Sequence, residues 1–444
     1  MNANARQIML KYQQEQRSLT REQKEAVGLL SIGTFLEFFD FMLYVHMATF
    51  LNEIFFPKTD PSTATLLAAA AFCSSYVLRP IGALIFGYIG DNIGRKSTFI
   101  ITTCIMAACC FTMANLPTYA QWGYTASVCM VICRVMQGLS SIGEIVGAEV
   151  YVTEMTKPPA QYPAVATIEV MGLLGTTIAL IVASFATLGN VNWRIAFWFG
   201  TIIAIIGGTA RRILIETPEF ADAKLQLKRV FEKANMDIKK LNNNPIVNEK
   251  VNKKTAFAYF LLDCSWPLNF YIAYFFCGTI LKNSFCFSTE QVIHQNLMLS
   301  IIQIFPWCML AWLSYKIHPL KLLKVKLFIF LPFIFIFPFL LKNVTNSFNM
   351  LLIQSFIVVF SPTTIPAVPI ILKALPIFKR FTCSGLIYAF SRAGVFIVCS
   401  FGLIYLTTYF GYPGLLFIMI PVSIGYIFGL LHFEKLSRET ENHL

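Results

Sequence analysis

Long apolar runs recur from about residue 27 to residue 432, and they leave few folds open to this chain. Twelve can be marked, at about 27–52, 64–88, 97–115, 124–152, 163–187, 194–214, 256–281, 293–314, 324–341, 348–372, 382–407 and 412–432. About 20 apolar residues cross a bilayer as a helix. Only helices and closed barrels satisfy their own backbone in lipid, and these runs are too long for barrel strands. Only 13% of the residues are charged, against about 25% in soluble domains. A soluble chain of this kind would expose large apolar patches. The expected fold is all-α, with twelve transmembrane helices in two six-helix halves. Pro306 in the eighth run, and Pro362, Pro366 and Pro369 in the tenth, are expected to disturb their helices.

Charge orients the expected bundle. With both termini inside, 28 of the 35 Lys and Arg residues fall on the inner side and four on the outer. The three left over, Arg79, Arg134 and Arg392, lie within runs. Positive residues collect on the cytoplasmic face, so both termini are expected there. The basic residues form no soluble patch, which argues against nucleic acid as a partner despite a net charge of +12. The stretch 211–255 is rich in Lys, Asn and Glu and divides the runs six from six. The expected organisation is a cytoplasmic segment 1–26, a first half 27–214, a central loop 215–255, a second half 256–432 and a tail 433–444. Part of the loop, 219–240, reads as an amphipathic surface helix. The first run is too long for a cleavable signal and lacks a small-residue cleavage site. The cysteines lie mostly inside runs without metal spacing and read as small apolar filler.

Residues 87–96, Gly-Tyr-Ile-Gly-Asp-Asn-Ile-Gly-Arg-Lys, make a tight turn between the second and third runs. Gly87, Gly90 and Gly94 permit close approach and sharp turning. Arg95 and Lys96 hold the turn on the cytoplasmic side. Asp91 stands where a carboxylate serves a neighbouring helix N-terminus or a basic side chain. Leu313-Ser314-Tyr315-Lys316-Ile317-His318 occupies the equivalent place in the second half. It reads as an eroded copy of the turn, with Tyr315 in place of the acid and His318 in place of a glycine.

A charge in the hydrocarbon zone costs about 2.5–3.5 kcal/mol on insertion scales and needs a reason. Glu37, Asp40 and Tyr44 are spaced i, i+3, i+7 and share one helix face. Such a face must look into protein or a cavity. It reads either as a proton or cation site or as structural pairing with a neighbouring arginine. In the fourth run Arg134 and Gln137 are i, i+3, and Gln137, Glu144 and Tyr151 recur every seven residues. Arg79 and Arg134 can neutralise Glu37 or Asp40, or grip a substrate carboxylate by their two-pronged fork. Glu154, at the exit of the fourth run, reads as structural. The second half offers Asp263, Trp266 and Arg392, with Tyr271, Tyr274 and Tyr388 near enough in register for an aromatic cage around a cation. In a chain with 42 phenylalanines, packing is the plainer reading of such aromatics. No phosphate-cradling G-x-x-x-x-G-K-[ST] and no nucleophile–base pair stands out, so neither an ATP-driven pump nor an enzyme is expected.

The turn 87–96 resembles the signature between the second and third helices of the major facilitator superfamily. Further matches come in order: Glu-Phe-Phe-Asp-Phe at 37–41, Arg79-Pro80, Arg-Val-Met-Gln-Gly-Leu-Ser-Ser-Ile-Gly-Glu at 134–144, Asn192-Trp193-Arg194-Ile195 and Glu216-Thr217-Pro218-Glu219-Phe220. The series is similar to the metabolite:proton symporters, to which proline/betaine transporters belong. It covers about 31–220 and fades afterwards, with an echo at Phe378–Gly385. The resemblance implies the major facilitator fold and a substrate site at the midplane between halves. It implies proton-coupled uptake of a small polar metabolite, a proline/betaine-type osmolyte or a carboxylate, across a bacterial inner membrane. The gating residues would be Gly87, Asp91, Gly94, Arg95, Lys96 and Arg79. The proton and substrate candidates would be Glu37, Asp40, Tyr44, Arg134, Gln137, Glu144, Asp263, Trp266 and Arg392. No metal and no cofactor is expected, the proton gradient supplying the energy; the partners are substrate, protons and the lipid bilayer, and the oligomeric state is left open, a monomer being compatible. The rival readings are an efflux antiporter of the same fold and a non-transporting membrane sensor.

Overall fold

The computed structural model describes residues 15–56, 76–187, 192–234 and 249–442. The start of the expected second run, the loop segment 235–248 and Lys58 lie outside the described residues. Helices account for nearly all the rest. In the first half they are α1 (Arg21–Phe55), α2 (Arg79–Asn92), α3 (Arg95–Asn115), α4 (Tyr124–Met155), α5 (Gln161–Thr187) and α6 (Arg194–Ala210). The helix Pro218–Ala234 follows, starting one residue before the 219–240 stretch expected to be a surface helix.

The second half is less regular. Its first span, α7, runs through Lys253–Asp263, Ser265–Phe270, a π-helical turn Tyr271–Phe276 and Cys277–Phe285. Then come α8 (Thr289–Lys316), α9 (Pro319–Lys342) and α10 (Ser347–Phe360). Next is α11 (Arg380–Ile397), continued through a second π turn, Val398–Gly402, into Leu403–Phe410. The chain closes with α12 (Leu416–Asn442). Among the described residues eight helices are individually long and apolar enough to cross a bilayer. The other four spans are short or interrupted: α2 begins beside undescribed residues, α6 and α10 have 17 and 14 residues, and α7 is broken. Pro306 lies inside an unbroken α8. Helix α10 does stop before Pro362 and resumes as Val368–Lys373.

The outer faces carry large apolar side chains, such as Phe328 and Phe305 at 80% and 74% exposure, as lipid contact requires. Lipid tails are as apolar as leucine, so helices in a bilayer associate through close packing and polar contacts. The halves meet along two seams, α2 on α11 and α5 on α8. Each seam joins the second helix of one half to the fifth of the other, as an internal repeat demands. The 87–96 turn closes one seam and the 313–318 turn closes the other, at the same end of the bundle.

Candidate functional site

At that end, Asp91 accepts from the backbone N–H groups of Phe381 (3.1 Å) and Thr382 (2.8 Å) and from the Thr382 hydroxyl (2.7 Å). It thus serves the positive N-terminus of α11. It also binds Arg95 at 2.9 Å, so it meets both partners foreseen for it. Arg95 reaches on to Glu154 (3.0 Å) and to the Ile377 carbonyl (2.9 Å). Glu154 in turn holds Arg380 of α11 at 3.1 Å and the Thr217 hydroxyl at 2.7 Å. Arg380 also meets Glu219 at 3.1 Å. Both halves thus share one buried charge network. Gly94 has a φ of +155°, and a Cβ there would strike Glu216, whose carboxylate accepts from the Arg95 N–H at 3.0 Å. At Gly87 a Cβ would lie 2.7 Å from the Thr382 Cα, so glycine lets α2 and α11 touch. Lys96 stands half-buried outside the network.

Nearer the middle of the bundle, the polar face of α1 meets its arginines. Arg79 of α2 donates to Glu37 at 2.9 Å and lies 4.5 Å from the Tyr76 ring centroid. Arg134 of α4 donates to Asp40 (3.1 Å) and to the Gln137 side chain (2.9 Å), with its guanidinium 4.0 Å from the Tyr44 ring. The Cys110 thiol, 3.6 Å from both Asp40 and Gln137, completes this group. Glu37, Asp40, Tyr44, Arg134 and Gln137 therefore converge. Glu144 does not join them. It pairs with Arg211 at 2.5 Å and accepts from Thr102 (2.8 Å) and Thr103 (2.7 Å). Arg211 also bonds the Thr103 hydroxyl and the Leu29 and Leu30 carbonyls, the last two at 3.3 Å each.

Across the seam, Asp263 of α7 pairs with Arg392 and accepts from the Ser391 hydroxyl at 2.7 Å. The Arg392 guanidinium lies 3.4 Å from the Tyr388 ring centroid and 5.8 Å from that of Trp266. Tyr271, Tyr274 and Tyr388 do not line one cavity, so the cage, the less plain of the two readings of these aromatics, does not assemble. Tyr274 donates to Gln303 at 3.0 Å, and Tyr271 lies against Phe275. Two cavities of about 20 Å3 each share Phe38, Glu169 and Trp266 in their walls, with room for about one water apiece. One is bounded by Phe38, Leu173, Phe270, Tyr274 and Trp307. The other holds Tyr259, Asp263, Tyr388 and Arg392, with two glutamates, Glu149 of α4 and Glu169 of α5.

Three participants escaped the sequence reading. Arg211 sits at the end of α6 among loop charges, and Cys110 looked like filler. Glu169 stands alone in an apolar run. Its partner Glu149 is 20 residues away on another helix, so no periodicity links them.

A multi-helix membrane bundle closing on buried carboxylate–guanidinium pairs defines the class. The family model of the Major Facilitator Superfamily matches residues 30–398, and the chain belongs to that superfamily. The proline/betaine transporters of Salmonella typhimurium and Escherichia coli K12 are each 32% identical to it over 204 residues. That match takes in 44% of this chain and 41% of each transporter, so the chain matches less than half of their length. Among solved structures, the proton:xylose symporter XylE bound to 6-bromo-6-deoxy-D-glucose aligns with a TM-score of 0.74 at 13% identity, covering 93% of this chain and 95% of that one. The human organic anion transporter MFSD10 aligns with a TM-score of 0.66 at 16% identity, covering 94% and 100%. These likenesses show the twelve-helix fold. Relatives and neighbours alike are transporters, not enzymes.

Proposed function

We propose that this chain is a secondary transporter that takes up a small polar metabolite with protons. The observation that carries the reading is the pair of acids on one face of α1, each engaged by an arginine from another helix inside the bundle. Each such charge is costly in a bilayer, and families keep them there for proton and substrate pathways. The relatives named for proline and betaine support a zwitterionic osmolyte, with a carboxylate as the wider class. Arg392 would take a substrate carboxylate and Asp263 a cationic group, with Trp266 and Tyr388 beside them.

Cavities of about 20 Å3 admit no metabolite, so loading requires the halves to part along one seam and then the other. Protonation of Glu37 or Asp40 would release Arg79 or Arg134 and loosen the first half. Glu144, locked by Arg211 and two threonines, is a brace in this scheme. The excess of basic residues at the 87–96 end makes that end cytoplasmic, with both termini there, in a bacterial inner membrane. The same topology supports the division at 215–255 into two halves and a connecting loop.

The test uses purified protein in liposomes, labelled proline, glycine betaine, oxoglutarate and citrate, and an imposed proton gradient. Uptake of at least one substrate driven by an inward gradient is expected. D40N and E37Q should abolish the driven component, and E144Q should instead lower thermal stability. Retention of gradient-driven uptake by both D40N and E37Q overturns the coupling assignment. Uptake driven only by a gradient of the opposite sense favours an antiporter.

A further inference from the structure

In the closed state five buried acids are each held by an arginine: Glu37 by Arg79, Asp40 by Arg134, Glu144 by Arg211, Glu154 by Arg95 and Arg380, Asp263 by Arg392. Glu149 and Glu169 are the exception. Both line the small cavity between the halves, on α4 and α5, together with Asp263, and Arg392 is the one guanidinium in that wall. An ionised carboxylate is an acceptor only. Three carboxyl groups around one guanidinium, itself paired with Asp263, cannot all stay ionised in so small a space, because like charges disfavour each other's ionisation; the two glutamates therefore hold a proton between them. The groups facing the pair are Tyr259 and Asp263 of α7 and Tyr388 and Arg392 of α11. Phe38 of α1, Trp266 of α7 and Thr363, Thr364 and Ile365 of the segment after α10 complete the wall, and none of these five is charged.

A second observation points into the same cavity. Arg392 is 92% buried, from 8% exposure, and its Nε has no hydrogen-bond partner. It is the only guanidinium among the lining residues, and Asp263 already occupies its other arm.

We infer that Glu149 and Glu169 together form a proton-binding site of the carrier, holding one proton between α4 and α5 beside Arg392. The inference rests on the transporter reading and names the place where the carried proton resides when both seams are shut. Water on the open side supplies the proton, which bonds to one carboxyl oxygen and is shared with the second carboxylate. On release that O–H bond breaks, water on the other side takes the proton, and both glutamates are left ionised. Movement of Arg392 from Asp263 towards the pair would stabilise that ionised state. Binding of a substrate carboxylate at Arg392 would keep the guanidinium from the pair and favour the protonated form, so that proton and substrate load together.

The experiment has two arms. Infrared difference spectra of the purified protein at neutral pH, wild type minus variant, should show one protonated-carboxyl C=O band that is lost in both E149Q and E169Q and kept in E37Q. Each replacement keeps the shape and a hydrogen-bonding amide, and E169D, which retains a carboxyl, should keep the band. A band unchanged by both E149Q and E169Q overturns the inference. In liposomes, with proline or glycine betaine as probe, E149Q and E169Q should lose accumulation driven by a proton gradient and keep exchange of labelled for unlabelled probe. Full gradient-driven accumulation by either variant also overturns it. If neither probe moves in the wild type, the transport reading is what fails for those probes, and the infrared band alone decides whether the pair holds a proton.

Discussion

The two seams join the same two halves by different chemistry. Where α2 meets α11, glycines bring backbones together and a buried charge network locks the end. Where α5 meets α8, hydroxyls and rings do the joining. The Thr177 and Ser300 hydroxyls lie 2.5 Å apart, and the Ser184 hydroxyl lies 2.6 Å from the His294 ring nitrogen. At the 313–318 end, the Tyr162 and His318 rings stand 6.4 Å apart. Tyr315 donates to the Arg17 carbonyl at 3.0 Å, and Gln16 is hydrogen-bonded to the chain at Pro158 and Ala160, where α5 begins. The turn that looked eroded is therefore met by an N-terminal arm, through hydrogen bonds and ring contacts among the described residues. One repeat can close both seams while only one carries a strong, charge-dependent latch.

That contrast can be broken at its strong side first. Glu154 holds Arg95, Arg380 and the Thr217 hydroxyl, and all three residues are buried. E154Q removes the carboxylate that the two guanidinium groups share, leaving Arg95 with Asp91 and Arg380 with Glu219. Breaking a buried pair costs about 3–5 kcal/mol, so a large fall in detergent melting temperature is expected. The half-buried Cys383, in the crevice beside Asp91, should also become faster to alkylate, read by peptide mass. An unchanged Cys383 rate with an unchanged melting temperature would mean the network is not the latch. The hydroxyl seam should respond less. T177V removes the contact to Ser300, and a neutral hydrogen bond is worth about 0.5–1.5 kcal/mol. A loss in melting temperature as large as that of E154Q would erase the distinction between the seams.

Sequence reasoning reached furthest where local pattern and burial coincide. The turn at 87–96 was legible because glycines, an acid and a basic pair at a membrane exit have few other uses. The polar face of α1 was legible because i, i+3, i+7 spacing survives translation into a helix, and Arg79 and Arg134 were foreseen as partners for it. Pairings between distant helices were harder. Glu144 lies on the periodic face of α4, yet α3 and α6 turn it to Thr102, Thr103 and Arg211. Tyr315 and His318 showed what the second turn had lost, but not the arm that compensates, because that arm sits about 300 residues earlier in the chain.

The smallest effect tests whether the second seam has room for a charged latch at all. Y315F removes one half-exposed hydrogen bond, to the Arg17 carbonyl, and should cost no more than about 1 kcal/mol in melting experiments. Y315D restores the acid that the first turn carries. An acid there would need what Asp91 has, free N–H groups at a helix start and a guanidinium beside them. At the start of α5 the Ala160 N–H is already bonded to Gln16, at 3.1 Å, and so is the Lys157 N–H, at 3.0 Å. A carboxylate at 315 would meet the Arg17 carbonyl that the tyrosine hydroxyl now satisfies, an acceptor facing an acceptor. Y315D should therefore be no more stable than Y315F. If it proves clearly more stable, the arm yields to the acid, and the neutral seam is a charged one with its acid removed rather than a separate way of closing.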